Sequence, residues 1–377
     1  MVLRSFSVQG GLELYAHKVV EGLVGRGLRV TVICQDSASP LSHPNLAVLK
    51  YDAPPSRTKK ADRLRFQFDT VSRFVEDAGQ FDLIHSQHFP ISNADVVTFH
   101  NQTAGRLSQV GQPWERALNK IKLAIVPAYR LRHEYDETLC MRARCLVFPS
   151  RACRDDFYSV YGAAGKLSDT PSVVAYPGAD LAAAGGPVEA GKETSGLACD
   201  RFTFLFVGRG FRKKGLDVLL SACRVLRKRG KDFRLLIAGL QGKLPDRVRL
   251  NLIDLTDTVS YLGFRTDMQN VYGSADAFVM PSKMEPFGMA ALQAMQRGLP
   301  AIVSRVSGVS ELIEHERSGL ILENHLSDSE LADLMERLID NPGLRGRLQE
   351  TGREVAHSAT WAKTVDATLE AYRLALA

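Results

Sequence analysis

The residues with the most chemistry in them stand at the ends of short apolar runs. After the run 202–207 the chain reads Gly208-Arg209-Gly210-Phe211-Arg212-Lys213-Lys214-Gly215, then a helical pattern. Glycines at a strand end, several cations and a helix N-terminus make a cradle for a diphosphate. It is not a dinucleotide fingerprint, because Lys213 holds the third glycine position. It is not a Walker loop, because no Gly-Lys-Ser/Thr follows at the required spacing. A solvated basic loop is the plain alternative. The second stretch is Pro281-Ser282-Lys283-Met284-Glu285-Pro286-Phe287-Gly288-Met289, with Gln293 beyond it. Glu285 falls in a loop between a strand and a helix from about Phe287. A carboxylate there can accept hydrogen bonds from sugar hydroxyls. The backbone of Phe287, Gly288 and Met289 is expected to be exposed and to donate at the helix start. Read singly, Glu285 is equally a helix-dipole charge.

Weaker signals stand elsewhere. Gly10-Gly11 lies between the first strand and the first helix, where backbone can approach an anion, or simply turn tightly. His100 ends the run 95–100, at a parallel-strand carboxyl end facing the cleft mouth, with a plain surface histidine as the alternative. The turn Ser307-Gly308-Val309-Ser310-Glu311 repeats the strand, Gly and helix-start pattern. His133 and Cys140 read as an exposed histidine and a buried thiol rather than metal ligands, and no metal is expected.

These positions demand a particular scaffold. Apolar runs at 29–34, 81–85, 95–100, 144–150 and 172–176 alternate with helical patterns such as 12–24. A second series runs through 201–208, 233–239, 259–264, 277–281 and 300–304, with helices at 216–227 and 287–297. Val/Ile-rich strands alternating with helices predict α/β domains with parallel sheets covered on both faces. Residues 181–200, rich in Ala and Gly, are the expected linker. The expectation is two Rossmann-like, doubly wound domains, 1–180 and 201–360, facing each other across a cleft. Ligands of such sheets bind beyond the strand carboxyl ends. The stretch 361–376 is a further helix with Val365, Leu369, Tyr372 and Leu376 at spacings of three or four.

The chain has 377 residues, 45% hydrophobic and 24% charged, which excludes disorder. Its net charge of +6 is local: residues 104–154 hold ten Lys/Arg and four Asp/Glu, and the other 326 residues balance. Within 115–139 a helical pattern broken near Pro127 puts Leu118, Ile121 and Ile125 on one face, with Lys120 and Lys122 off it. Arg116, Lys120, Lys122, Arg130 and Arg132 are therefore expected to meet anionic phospholipid or a phosphorylated acceptor, with a solvated helix face as the alternative. Nucleic acid is not expected, since no aromatic interleaving or known module accompanies the charge. No run of about 18 apolar residues exists to span a membrane, and no signal-peptide core is seen. The six cysteines form no CxxC pair, which suits isolated thiols in a reducing, cytoplasmic setting.

Taken together, the Gly10-Gly11 loop, His100, Tyr176-Pro177-Gly178-Ala179-Asp180, Val207-Gly208-Arg209, Lys214-Gly215, Glu285-Pro286-Phe287-Gly288 and the 307–311 turn resemble the family-4 retaining glycosyltransferases of GT-B architecture. The likeness covers nearly the whole chain. The basic insertion and the 210–217 segment are similar to the glucosyltransferases that act on lipopolysaccharide-core heptose. The resemblance implies a nucleotide-sugar donor, with UDP-glucose the first guess, and a glycolipid or cell-envelope polysaccharide acceptor. It implies that Arg209 and Lys214 neutralise the leaving diphosphate, that Glu285 contacts donor hydroxyls, and that His100 lies near the reacting face of the sugar. Arg265 stands near the base site, and Gly10, Gly11, Phe287, Gly288, Met289 and Gln293 complete the donor site. It implies retention of anomeric configuration without a metal or other cofactor, a peripheral place on an inner membrane, and a last helix that crosses back to the first domain.

Two departures stand out. The family's second glutamate is Gln293 here, a weaker, uncharged acceptor. Only Val2-Leu3-Arg4 precede the approach to the glycine loop, where about five strand residues are expected. Two other function classes fit the same scaffold: a nucleotide-sugar hydrolase or phosphorylase, and a carbohydrate-binding relative with a weakened site.

Overall fold

The computed structural model describes residues 1–54, 58–103, 105–109, 111–162, 167, 170–179, 200–239 and 253–377. The linker 181–200 lies outside the described residues except for Asp200. The chain divides into two compact units, Met1–Gly178 with Trp361–Ala377, and Ala179–Thr360.

The first unit is built on parallel strands. β1 (Ser5–Phe6), β2 (Val30–Cys34), β3 (Asp36–Ser37) and β4 (Leu46–Lys50) come early, followed by β5 (His85–Ser86), β6 (Val96–Thr98), β7 (Cys145–Phe148) and β8 (Ser172–Val174). β5, β6, β7 and β8 are hydrogen-bonded in that order, and β2 pairs with β4. Val2 joins the two groups, bridging to Ile33 on one side and Ser86 on the other. The first strand is thus reduced to one bridging residue in the sheet, with Ser5–Phe6 turned aside to pair with Asp36–Ser37. Its helices are α1 (Gly11–Gly25), α2 (Lys60–Phe66), α3 (Ser72–Asp77), α4 (Pro113–Ile125), α5 (Pro127–Arg142) and α6 (Arg151–Tyr161). Pro127 separates α4 from α5 because it has no N–H to continue the helix. The helix Trp361–Leu376 buries Trp361, Val365, Ala371 and Ala375. Gly22 lets it approach α1 closely, since a Cβ there would collide with Val365. Ala371 and Ala375 share a buried cluster with Val96, Cys145, Val147 and Ala175.

Among its described residues the second unit has six parallel strands: β9 (Phe202–Val207), β10 (Phe233–Ala238), β11 (Val259–Gly263), β12 (Ala277–Met280), β13 (Ala301–Ser304) and β14 (Leu320–Leu322). Their order is β11-β10-β9-β12-β13-β14. β12 and β13 are wholly buried, which is why they read as unbroken apolar runs. The helices are α7 (Leu216–Lys228), α8 (Met268–Gly273), α9 (Met289–Gln296), α10 (Asp328–Asp340) and α11 (Pro342–Ser358). Leu219, Cys223 and Leu226 of α7 pack on Phe204, Phe206, Leu235 and Ile237 of the sheet. The sheet is therefore doubly wound, and its strand order reverses between β9 and β12. Loops leaving those two strands lie side by side at the switch point.

Candidate active site

At the switch point of the second unit three loops are tied by backbone hydrogen bonds. The loop after β9 accepts from the loop after β12, through Lys283 N–H and Met284 N–H to the Lys213 carbonyl, at 2.8 and 3.2 Å. The loop after β13 joins through Gly308 N–H to the Glu285 carbonyl at 3.2 Å and Val309 N–H to the Phe287 carbonyl at 2.7 Å. Ser304 adds a hydroxyl bond to the Ser282 carbonyl at 2.6 Å. Contact between the first two loops is so close that a Cβ on Gly215 would strike the Pro281 carbonyl. Gly215 also has φ +73°, a conformation glycine adopts without strain.

This framework sets the charged side chains. Lys214 and Glu285, 71 residues apart, form an ion pair through Nζ and Oε2. Glu285 is buried and Lys214 half-buried. Arg209 is exposed, its guanidinium 5.5 Å from the Phe264 ring centroid. Lys283, which the sequence reading passed over, is buried and paired with Asp217 at the start of α7. Arg265 is held by its neighbour Asp267, with two hydrogen bonds of 2.7 and 2.6 Å. Gln293 accepts from the buried Tyr272 hydroxyl at 3.3 Å, and the same hydroxyl reaches the Ala290 carbonyl at 3.2 Å.

One expectation needs correction. Phe287 and Gly288 are buried, not exposed, and α9 begins at Met289. Gly288 takes φ +108°, and a Cβ there would come within 2.6 Å of Met280 Cε. The tight turn folds Phe287 inward, leaving Met289 half-buried at the helix start.

In the first unit, Gly10 has φ +113° and caps α1, which starts at Gly11. The Glu13 carboxylate already lies over Gly10. His100 follows β6. Its Nε2 is 2.6 Å from Gln87 Oε1, and its ring meets the Tyr15 ring edge-on at 4.8 Å. Burial holds its imidazole well below the usual pKa, so the ring is neutral at physiological pH. His133 bonds the Tyr161 hydroxyl at 3.1 Å, and Cys140 is buried in the core.

The basic stretch divides. Lys120, Lys122, Arg116 and Arg130 are exposed. Arg116 bonds the Gly111 carbonyl at 2.8 Å, and Arg130 lies 3.6 Å from Glu134. Arg132 does not belong with them: its Nε bonds the buried Asp136 at 2.8 Å, so its charge is spent inside the unit. The exposed apolar face of α4 is larger than the sequence pattern suggested. Trp114 joins Leu118, Ile121 and Ile125, and these side chains are between 46% and 72% exposed. Trp114 precedes the start assumed for the helical pattern, and this is why it went unnoticed.

Gln293 yields a direct test. A carboxylate in its place accepts more strongly, so Gln293→Glu is expected to tighten nucleotide-sugar binding roughly fivefold. Calorimetry showing unchanged or weaker affinity contradicts this.

Comparison with known proteins gives the scaffold a family. Residues 9–183 match the model "Glycosyltransferase Family 4", and residues 188–355 match "Glycosyl transferases group 1". The D-inositol 3-phosphate glycosyltransferase of Pseudarthrobacter chlorophenolicus is 27% identical, over 97% of this chain and 91% of its own length. Its namesake from Saccharomonospora viridis is 28% identical, over 98% and 90%. The fold is shared with WaaG, a glycosyltransferase involved in lipopolysaccharide biosynthesis (TM-score 0.79, 17% identity, 98% of each chain). It is shared too with Anabaena Alr3699/HepE in complex with UDP-glucose (TM-score 0.70, 17% identity, 99% and 98%). Between them the two family matches take in nearly the whole chain, and it belongs to the group 1 glycosyltransferases of GT-B fold, with a family-4 N-terminal half.

Proposed function

We propose that the chain transfers a hexose from a nucleotide-sugar, UDP-glucose first among them, to a hydroxyl of a phosphate-bearing cell-envelope glycan. The observation that carries this reading is the meeting of Lys214 with Glu285 where the sheet order reverses. A cation there meets the diphosphate, and a carboxylate beside it accepts from sugar hydroxyls. Arg209 adds a second, exposed cation. Both cations stabilise the negative charge that grows on the leaving group, without moving during the reaction. Gln293 takes the ribose, Arg265 the region of the base, and Met289 the helix start. Gly10 and Gly11 allow close backbone approach, and His100 contacts the sugar. By the family resemblance, configuration is retained: the acceptor attacks the face the diphosphate leaves, and a phosphate oxygen takes the acceptor proton. The chain's own contribution is then positioning and charge stabilisation, with no metal in the scheme.

The exposed α4 face favours an acceptor held at a membrane. Trp114, Leu118, Ile121 and Ile125 supply apolar area, and Lys120, Lys122 and Arg130 add about 1 kcal/mol each near an anionic surface. The attachment proposed through this face is peripheral; no helix among the described residues is long and apolar enough to cross a membrane. The name of the sequence relatives makes soluble D-inositol 3-phosphate the competing acceptor.

Nucleotide release separates the readings. UDP-glucose is incubated alone, with a lipopolysaccharide-core glycolipid, and with D-inositol 3-phosphate. Glycolipid-dependent release that falls on the order of 100-fold in Lys214→Ala is expected. Release without acceptor would mean a hydrolase, release with inositol phosphate alone would move the acceptor, and no turnover with any donor would leave a binding protein. Flotation tests the α4 face. Binding to vesicles of anionic phospholipid is expected, weakened by salt and by Lys120→Ser with Lys122→Ser. Failure to float in low salt contradicts it.

A further inference from the structure

Behind His100 the first unit holds a buried chain of polar groups that no part of the proposed chemistry uses. Gln87, just after β5, is buried. Its Oε1 is 2.6 Å from His100 Nε2. Its Nε2 is 3.3 Å from His85 Nε2 and 3.4 Å from Met1 Sδ. His85, also buried, has Thr98 Oγ1 2.7 Å from Nε2 and Tyr372 Oη 2.8 Å from Nδ1. The chain of contacts thus runs from the helix Trp361–Leu376 through His85 and Gln87 to His100.

A side-chain amide has one accepting end and one donating end. With Oε1 toward His100, that imidazole must carry its proton on Nε2. With the NH2 group toward His85, that ring must leave Nε2 bare and hold its proton on Nδ1, donating to the Tyr372 hydroxyl. Thr98 completes the pattern by donating its hydroxyl proton to the same bare nitrogen. Burial lowers His85 to about 3 and His100 well below the usual range, so each ring carries a single proton and has a definite tautomer. The two rings are locked in opposite tautomers by one amide. Swapping them requires the amide to turn over and both protons to move.

The backbone of His100 is fixed separately. The N–H groups of His100 and Asn101 both donate to His88 Nδ1, at 3.1 and 3.2 Å. His88 Nε2 lies 3.2 Å from Asp136 Oδ1 and is also met by Arg132 Nη2, whose guanidinium bonds the same carboxylate through Nε. Among the described residues His100 Nδ1 has no hydrogen-bond partner.

We propose that Gln87 is a positioning residue that fixes the Nε2–H tautomer of His100, leaving Nδ1 as the hydrogen-bond acceptor offered to a ligand hydroxyl. The effect on turnover rests on the reading of His100 as a substrate contact; the tautomer does not. The test is 15N NMR of histidine-labelled full chain at neutral pH, with His85→Asn and His100→Asn for assignment. A protected Nε2–H signal from His100 and an Nδ1–H signal from His85 are expected. Gln87→Leu should expose the His100 proton to rapid solvent exchange, while Gln87→Glu, which keeps an acceptor, should retain its signal. Nucleotide release in Gln87→Leu should fall about tenfold. A proton on His100 Nδ1 in the unsubstituted protein overturns the proposal even if no variant folds. So does an unchanged, protected Nε2–H signal in folded Gln87→Leu. Correct tautomers in a protein without transferase activity would instead remove the functional reading and leave this one standing.

Discussion

A carboxylate and an ammonium drawn together at the reversal of a parallel sheet set the terms for the rest of the second unit. Glu285 is buried, and a buried carboxylate without a partner is strongly unfavourable. Lys214 supplies that partner from 71 residues away. For the two to meet, β9 and β12 must be neighbours, their loops must touch, and Gly215 must be a glycine so that the chain can pass the Pro281 carbonyl. The backbone bonds from Lys283 and Met284 to Lys213 hold the loops in that register. Each of these features is inexpensive alone, and together they leave little freedom in where the pair can sit.

The pair also explains how one site can greet opposite demands. A diphosphate needs positive charge, and sugar hydroxyls need an acceptor. In the free protein the two groups satisfy each other. On the proposed reading, a bound nucleotide-sugar would let Lys214 turn to phosphate and Glu285 to hydroxyls, so that neither charge is stranded in either state. Arg209, exposed beside Phe264, lies outside that pair, and on the same proposal its attraction would act at longer range. In the first unit the same economy appears in neutral form. His100 is held by Gln87 and by the His88–Asp136 pair, so its ring is set before any ligand arrives.

Much of this was legible in the sequence. The β9 loop and the Glu285 loop declare themselves through glycines and charges at the ends of apolar runs, and the alternation of runs gives the two doubly wound units. What escaped has a common cause. Gln87 reaches His100, Tyr272 reaches Gln293, and Lys283 reaches Asp217 across strand or helix packing rather than along the chain. A contact between distant segments leaves no spacing along the chain to reveal it. Arg132 misled for the reverse reason: it sits in a cluster of like charges but points inward to Asp136. Phe287 and Gly288 misled because a loop rich in small and polar residues reads as open, while the turn at Gly288 packs it against Met280.

The exchange of partners at Lys214 and Glu285 is the central claim, and calorimetry of UDP against UDP-glucose tests it most directly. Lys214→Met should weaken both ligands at least tenfold, since a charge-assisted phosphate contact is lost from each. Glu285→Gln should leave UDP bound as tightly as before, or more tightly, and should erode only the advantage of UDP-glucose over UDP. If Glu285→Gln instead weakens UDP as much as Lys214→Met does, the pair is a structural tie and not a divided donor site, and the account fails.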